Sequence, residues 1–184
     1  MRLQKYINKQ GTGKKMEGTM IGYKVDFSVI KKTSDYIKSW LDRYNVDYKQ
    51  NQNIHVTVAQ IVGKYSKDKI IRVMQNLPAN YTINPKELKL LYGHNVDKYF
   101  ITIELKKNNK YRKSHDMVRE ELPEVKTFPE GMKPHISLFM LDTSDMDPYM
   151  WNEITQRNIK LPKIKVNKLQ LFNNKFLPEF LLKK

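Results

Sequence analysis

Two short segments 80 positions apart carry the same arrangement, His55-Val56-Thr57-Val58 and His135-Ile136-Ser137-Leu138. Each sits in an apolar run, NIHVTVAQIV and HISLFML, that reads as a strand. In a strand, residues i and i+2 point to the same side, about 6–7 Å apart. Histidine and hydroxyl therefore share one face, while Val56, Val58, Ile136 and Leu138 take the other. A strand of this kind needs a sheet with one face on the core and one face open, and this chain needs it twice.

The elements around the two segments repeat as well. After a basic, glycine-punctuated arm over residues 1–20, Tyr23, Val25, Phe27 and Val29 alternate with polar residues, which predicts a strand from Ile21. Ser34 and Asp35 suit the cap of a following helix, whose stripe is Tyr36, Ile37, Trp40, Leu41 and Tyr44. The first His-bearing strand comes next, then a helix opened by Ser66 and closed before Pro78. Strands are expected over 81–92 and 98–105, with a turn at Gly93–Asp97 between them. A polar helix over 108–121, a turn-rich loop, the second His-bearing strand, a short helix over 148–156 and a last strand in KIKVNKLQLF complete the chain. Each half thus reads strand, helix, His-bearing strand, helix, strand. The fold class is α+β, a single domain over residues 21–184 with mixed or antiparallel sheets and helices packed outside.

Composition narrows the function. There are 34 Lys and Arg against 19 Asp and Glu, a formal charge of +15, which draws phosphate-bearing partners; a Lys- and Asn-rich chain also follows from an AT-rich genome. Absence of cysteine excludes a disulfide framework, a thiolate nucleophile and zinc sites that need Cys. No apolar run approaches the ~18 residues that span a membrane, so a soluble, cytoplasmic protein is expected. Gly11-Thr12-Gly13-Lys14-Lys15 is not a phosphate loop, because Lys15 stands where Ser or Thr must follow the lysine. Asp142, Asp145 and Asp147 lack the spacing of a calcium loop and suit a turn and a helix cap. No metal or other cofactor is expected. His94, in a turn, and His115, on a polar helix, read as surface residues.

If the two His-bearing strands are neighbours, two imidazoles and two hydroxyls meet around a volume suited to one phosphate. Phosphodiester cleavage needs one group to take a proton from the attacking oxygen and another to protonate the leaving oxygen. Imidazoles, with a pKa near 6.5, can serve as both. Thr57 and Ser137 can hydrogen-bond the non-bridging oxygens. The residues do not say which histidine is acid and which is base. Satisfied core or edge histidines are the competing reading, and a lone His-x-Thr carries little weight; two copies on equivalent strands carry much more.

The doubled motif resembles that of the 2H phosphoesterase superfamily, which includes bacterial RNA 2′,3′-cyclic phosphodiesterases and LigT-like proteins. The resemblance covers both motifs and the order of elements from about Gly22 to Phe172. It implies a bilobal fold with a pseudo-twofold axis and a central groove, no metal, His55 and His135 as the acid–base pair, and Thr57 and Ser137 as phosphate binders. It further implies an RNA end with a 2′,3′-cyclic phosphate or a cyclic oligonucleotide as substrate. The compact, Lys/Asn/Tyr-rich chain tilts the expectation toward the second, as cut by phage members that defeat cyclic-oligonucleotide antiviral signalling (CBASS). A non-catalytic basic RNA-binding module is the other function class, and predicts salt-sensitive affinity without turnover. Tyr23, Lys133 and Trp151 are the candidate substrate-binding residues, the aromatics as base platforms and the lysine for phosphate steering.

Overall fold

The computed structural model describes residues 20–61, 64–93, 97–126, 134–157, 159–172 and 178–182. The first half runs β1 (Met20–Lys24), α1 (Phe27–Arg43), β2 (Tyr48–Gln50), β3 (His55–Ile61), α2 (Lys67–Asn76), β4 (Tyr81–Ile83), β5 (Pro85–Gly93). The second half repeats it as β6 (Lys98–Leu105), α3 (Asn109–Glu121), β7 (Val125–Lys126), β8 (His135–Asp142), α4 (Pro148–Gln156), β9 (Ile164–Val166), β10 (Lys168–Phe172), and then adds β11 (Pro178–Leu182). The expected α+β class and the internal echo are both found, and every strand pairing among the described residues is antiparallel.

The lobes, however, are not the halves of the chain. One sheet has the order β11-β10-β1-β3-β7 and the other β2-β8-β6-β5, with β4 and β9 forming a two-stranded ribbon. Each sheet keeps two strands of one half and borrows strands from the other. Short β2 leaves the first half to pair with β8, and short β7 leaves the second half to pair with β3. The helices follow suit: α1 packs on α4, α2 on α3, and α3 lies against β3. The buried apolar residues of both lobes form one cluster, from Ile21 through Leu171. Pulling the lobes apart would break sheet hydrogen bonds as well as apolar contacts, so a single cooperative domain is the physical expectation.

Several elements differ from their sequence forecasts. The alternation from Tyr23 ends at Lys24, and Phe27 and Val29 lie in the first turn of α1, each more than a third exposed. Ile30, Ile37 and Leu41, fully buried at helical spacing, form the stripe that holds α1 on the core and override the period-two pattern upstream. Asp26 occupies the N-cap position, and Ser34, expected at a cap, is buried mid-helix with its Oγ accepting from Gln50 Nε2 at 2.9 Å. The strand expected over 81–92 is two strands with different partners, as is the one expected in KIKVNKLQLF; β2, β7 and β11 had no forecast. Met20, placed in the arm, begins β1; residues 1–19 lie outside the described residues. Other local signals hold. Ser66 Oγ caps α2, Asn108 Oδ1 caps α3 by accepting from Tyr111 N at 2.8 Å, and Asp147 Oδ1 caps α4 ahead of Pro148. Asp142 pairs with Lys98. Trp40 is buried in the core as its stripe implied, with the guanidinium groups of Arg43 and Arg157 over its ring. No helix among the described residues is long and apolar enough to cross a membrane.

Candidate active site

The two histidine strands occupy equivalent places. β3 pairs with β1 so that Lys24 faces His55 and Gly22 faces Thr57; β8 pairs with β6 so that Glu104 faces His135 and Thr102 faces Ser137. Both ladders carry an irregularity at the same point, between Ile21 and Gly22 in one and between Ile101 and Thr102 in the other. Just before each histidine the chain is fixed the same way, Val25 N donating to Ile54 O at 2.9 Å and Leu105 N to Pro134 O at 2.7 Å. A bulge twists its strand and re-aims neighbouring side chains. Here it follows Thr57 and Ser137, and side chains from elsewhere hold the carbonyls of these two residues: Tyr111 Oη donates to Thr57 O at 2.8 Å and Asn51 Nδ2 to Ser137 O at 3.0 Å.

The sheets meet where β3 approaches β8. His55 and His135 are near enough that charge on His135 disfavours a proton on His55. Burial is the larger cause holding the His55 pKa below the usual imidazole value, with the Asn53 carbonyl opposing it. That carbonyl lies 2.6 Å from His55 Nδ1. A carbonyl only accepts, so Nδ1 carries the proton and Nε2 of the neutral ring keeps its lone pair. Phe172 stacks on the imidazole, its ring centroid 4.2 Å from that of His55 and the planes 26° apart. Gly22 makes room for it, since a Cβ there would stand 3.2 Å from Phe172 Cε2 and 2.9 Å from Val56 O.

His135 has different surroundings. It is half-buried, and the carboxylate opposite, on Glu104, is buried and salt-bridged to Lys86 at 3.2 Å and Lys89 at 3.1 Å. No group of three His, Asp or Glu side chains among the described residues is arranged to hold a metal.

Thus the structure brings together His55, Thr57, His135 and Ser137. It does not bring Tyr23 to a ligand: the ring is fully buried edge-on to Tyr81, and its hydroxyl donates to Pro78 O at 2.5 Å and lies 2.7 Å from Ser114 Oγ. A side chain with no exposed face cannot stack a base, so that expectation is corrected. Trp151 is on α4, within the helix expected over 148–156, and is partly buried against the core from the helix layer. Lys133 and His94 lie outside the described residues. His115 is half-buried on α3 with Nδ1 3.7 Å from Asp116, and burial depresses its pKa. Sequence reasoning missed Asn53, Phe172, Gly22 and Glu104; a glycine in an apolar strand was the one visible signal, marking a close approach.

Solved structures share this architecture. Usb1 of Kluyveromyces marxianus, solved with uridine monophosphate, superposes with a TM-score of 0.58 at 8% identity, covering 89% of this chain and 95% of that one. E. coli LigT complexed with 3′-AMP gives 0.54 at 13% identity over 90% and 92%. TT0787 of Thermus thermophilus gives 0.54 at 11% identity over 89% and 92%. The fold of this chain is theirs, as the resemblance of its doubled motif to the 2H phosphoesterases implied. No family model matches the sequence, and no curated protein matches it.

Proposed function

We propose that the protein is a phosphodiesterase that cleaves a nucleotide phosphodiester between His55 and His135 without a metal. The observation that carries this reading is the equivalent placement of two His and hydroxyl pairs at matching bulges on strands that meet at the sheet junction. His55 acts as the base: with Nδ1–H committed to Asn53 O, its Nε2 takes the proton of the attacking hydroxyl or water as the oxygen bonds to phosphorus. His135 acts as the acid, delivering a proton to the oxygen whose bond to phosphorus breaks. Thr57 and Ser137 donate to the non-bridging oxygens, where charge accumulates.

The substrate we favour is a ribonucleotide end. The similar Usb1 and LigT structures hold uridine monophosphate and 3′-AMP, products of the size such a site would release, and a charge of +15 suits a polyanionic ligand. A cyclic oligonucleotide presents the same kind of phosphodiester to the same pair and is the second substrate class. The test is turnover in EDTA of a short RNA ending in a 2′,3′-cyclic phosphate and of 3′,3′- and 2′,3′-linked cyclic dinucleotides. Opening of the RNA end, lost in His55→Ala and His135→Ala, is expected. Cleavage of the cyclic dinucleotides alone would reassign the enzyme to signal degradation. Loss of all turnover on chelation would rule out the metal-free mechanism, and salt-sensitive binding without turnover would make it an RNA-binding module.

A further inference from the structure

Antiparallel register places side chains of neighbouring strands in rows across a sheet. The row through His55 is Lys168, Lys24, His55, on β10, β1 and β3. The next row toward the bulge is Gln170, Gly22, Thr57. The stacking of Phe172 on His55 fixes which face these are on: the even-numbered residues of β10 share the face of the histidine, while Leu169 and Leu171 belong to the core. Strands lie about 4.8 Å apart, so Lys24 and Lys168 step away from the His55 strand to roughly 10 Å. Lys24 is exposed and Lys168 partly so, and no acidic side chain among the described residues pairs with either. Beside them Gln170 is 1% exposed, and its Oε1 has no partner among the described residues. The equivalent row in the other lobe is acidic, Glu87, Glu104, His135.

We infer that Lys24 and Lys168 form a second phosphate subsite, which binds the internal phosphate one nucleotide inward from the scissile group. The inference rests on the proposed phosphodiesterase reading for the position of the scissile group. Two ammonium groups in one row favour a ligand that carries a second phosphate beyond the scissile one. The enzyme would then prefer oligonucleotide ends to single nucleotides.

The test measures equilibrium binding by calorimetry, which does not depend on turnover. Its probes are thymidine 3′-phosphate, the dinucleotide dTpdTp with an internal phosphodiester, and thymidine 3′,5′-bisphosphate. The wild-type protein should bind the dinucleotide about tenfold more tightly than the mononucleotide. In a Lys24→Gln/Lys168→Gln double variant the ratio should fall to near one, and the log–log salt slope for the dinucleotide should become shallower by about 1.4. An undiminished ratio in the double variant would overturn the subsite, as would a gain with the bisphosphate but none with the dinucleotide. A ratio that behaves as expected in a protein that turns over neither the RNA end nor the cyclic dinucleotides would refute the phosphodiesterase reading and leave the subsite standing.

Discussion

The two lobes share a backbone plan and differ in what they set against their histidines. In the lobe of β3, a lysine faces His55, a glycine faces Thr57, and the space freed by that glycine holds Phe172 against the imidazole. In the lobe of β8, a glutamate faces His135 and a threonine faces Ser137, with Thr102 Oγ1 donating to Lys89 O at 3.0 Å. Burial, to which the stacked Phe172 contributes, disfavours a proton on His55, while His135 is only half-buried and faces a carboxylate. A duplicated scaffold can therefore set its two imidazoles in unequal surroundings.

The sharpest way to break the comparison is to remove each histidine. His55→Ala and His135→Ala should each lower kcat by about 10²–10⁴-fold in the RNA-end assay. Near-equal residual activity with identical pH profiles would show that the lobes are chemically interchangeable. Phe172→Ala should cost about 3–4 kcal/mol of stability by urea denaturation, because the ring is almost fully buried. It should also admit water to His55 and move the acidic limb of the pH–rate profile upward; an unmoved limb would show that the aromatic has no part in setting the protonation of that ring.

Gly22→Ala is expected to cost about 1–3 kcal/mol, since the nearest atom is a backbone carbonyl that cannot rotate away. Thr102→Ala at the equivalent point, which gives up the hydroxyl bond to Lys89 O, should cost less, about 1 kcal/mol, and bring no new ring contact. Reversed magnitudes would contradict the role given to Gly22. The smallest effect is on stability against pH. His55 is neutral in both folded and unfolded chains above about pH 6.5; below it the unfolded chain takes up a proton that the buried ring resists, so stability falls as pH drops from 6.5 until the lowered folded pKa is reached. His115, depressed by burial, adds in the same direction. His55→Gln should flatten part of this slope.

The pairing of the four candidate site residues was legible in the sequence because the period of a strand is two: once an apolar run is a strand, His55 and Thr57 must share a face, and so must His135 and Ser137. Helices with strong caps, such as the one after Ser66, were legible for the same local reason. Tyr23 shows the limit. Its alternation correctly placed it in a strand, but the open side of β1 belongs to Gly22 and Lys24, and Tyr23 points with Ile21 and Val25 into the core. Phe27 and Val29 show another, because a helical stripe beginning at Ile30 is decided by what it packs on.

By itself the sequence determined the class of fold, the doubling of the motif, the faces of the two His-bearing strands and the net charge. All of these follow from periodicity and composition within a few residues of each position. Only the tertiary structure decided that β2 and β7 cross between lobes, that Phe172 lies on His55, and that Lys24 and Glu104 stand opposite the two histidines. Those are statements of register between segments far apart in the chain. Register is set by the joint burial of many side chains across the sheet, and no local pattern encodes it.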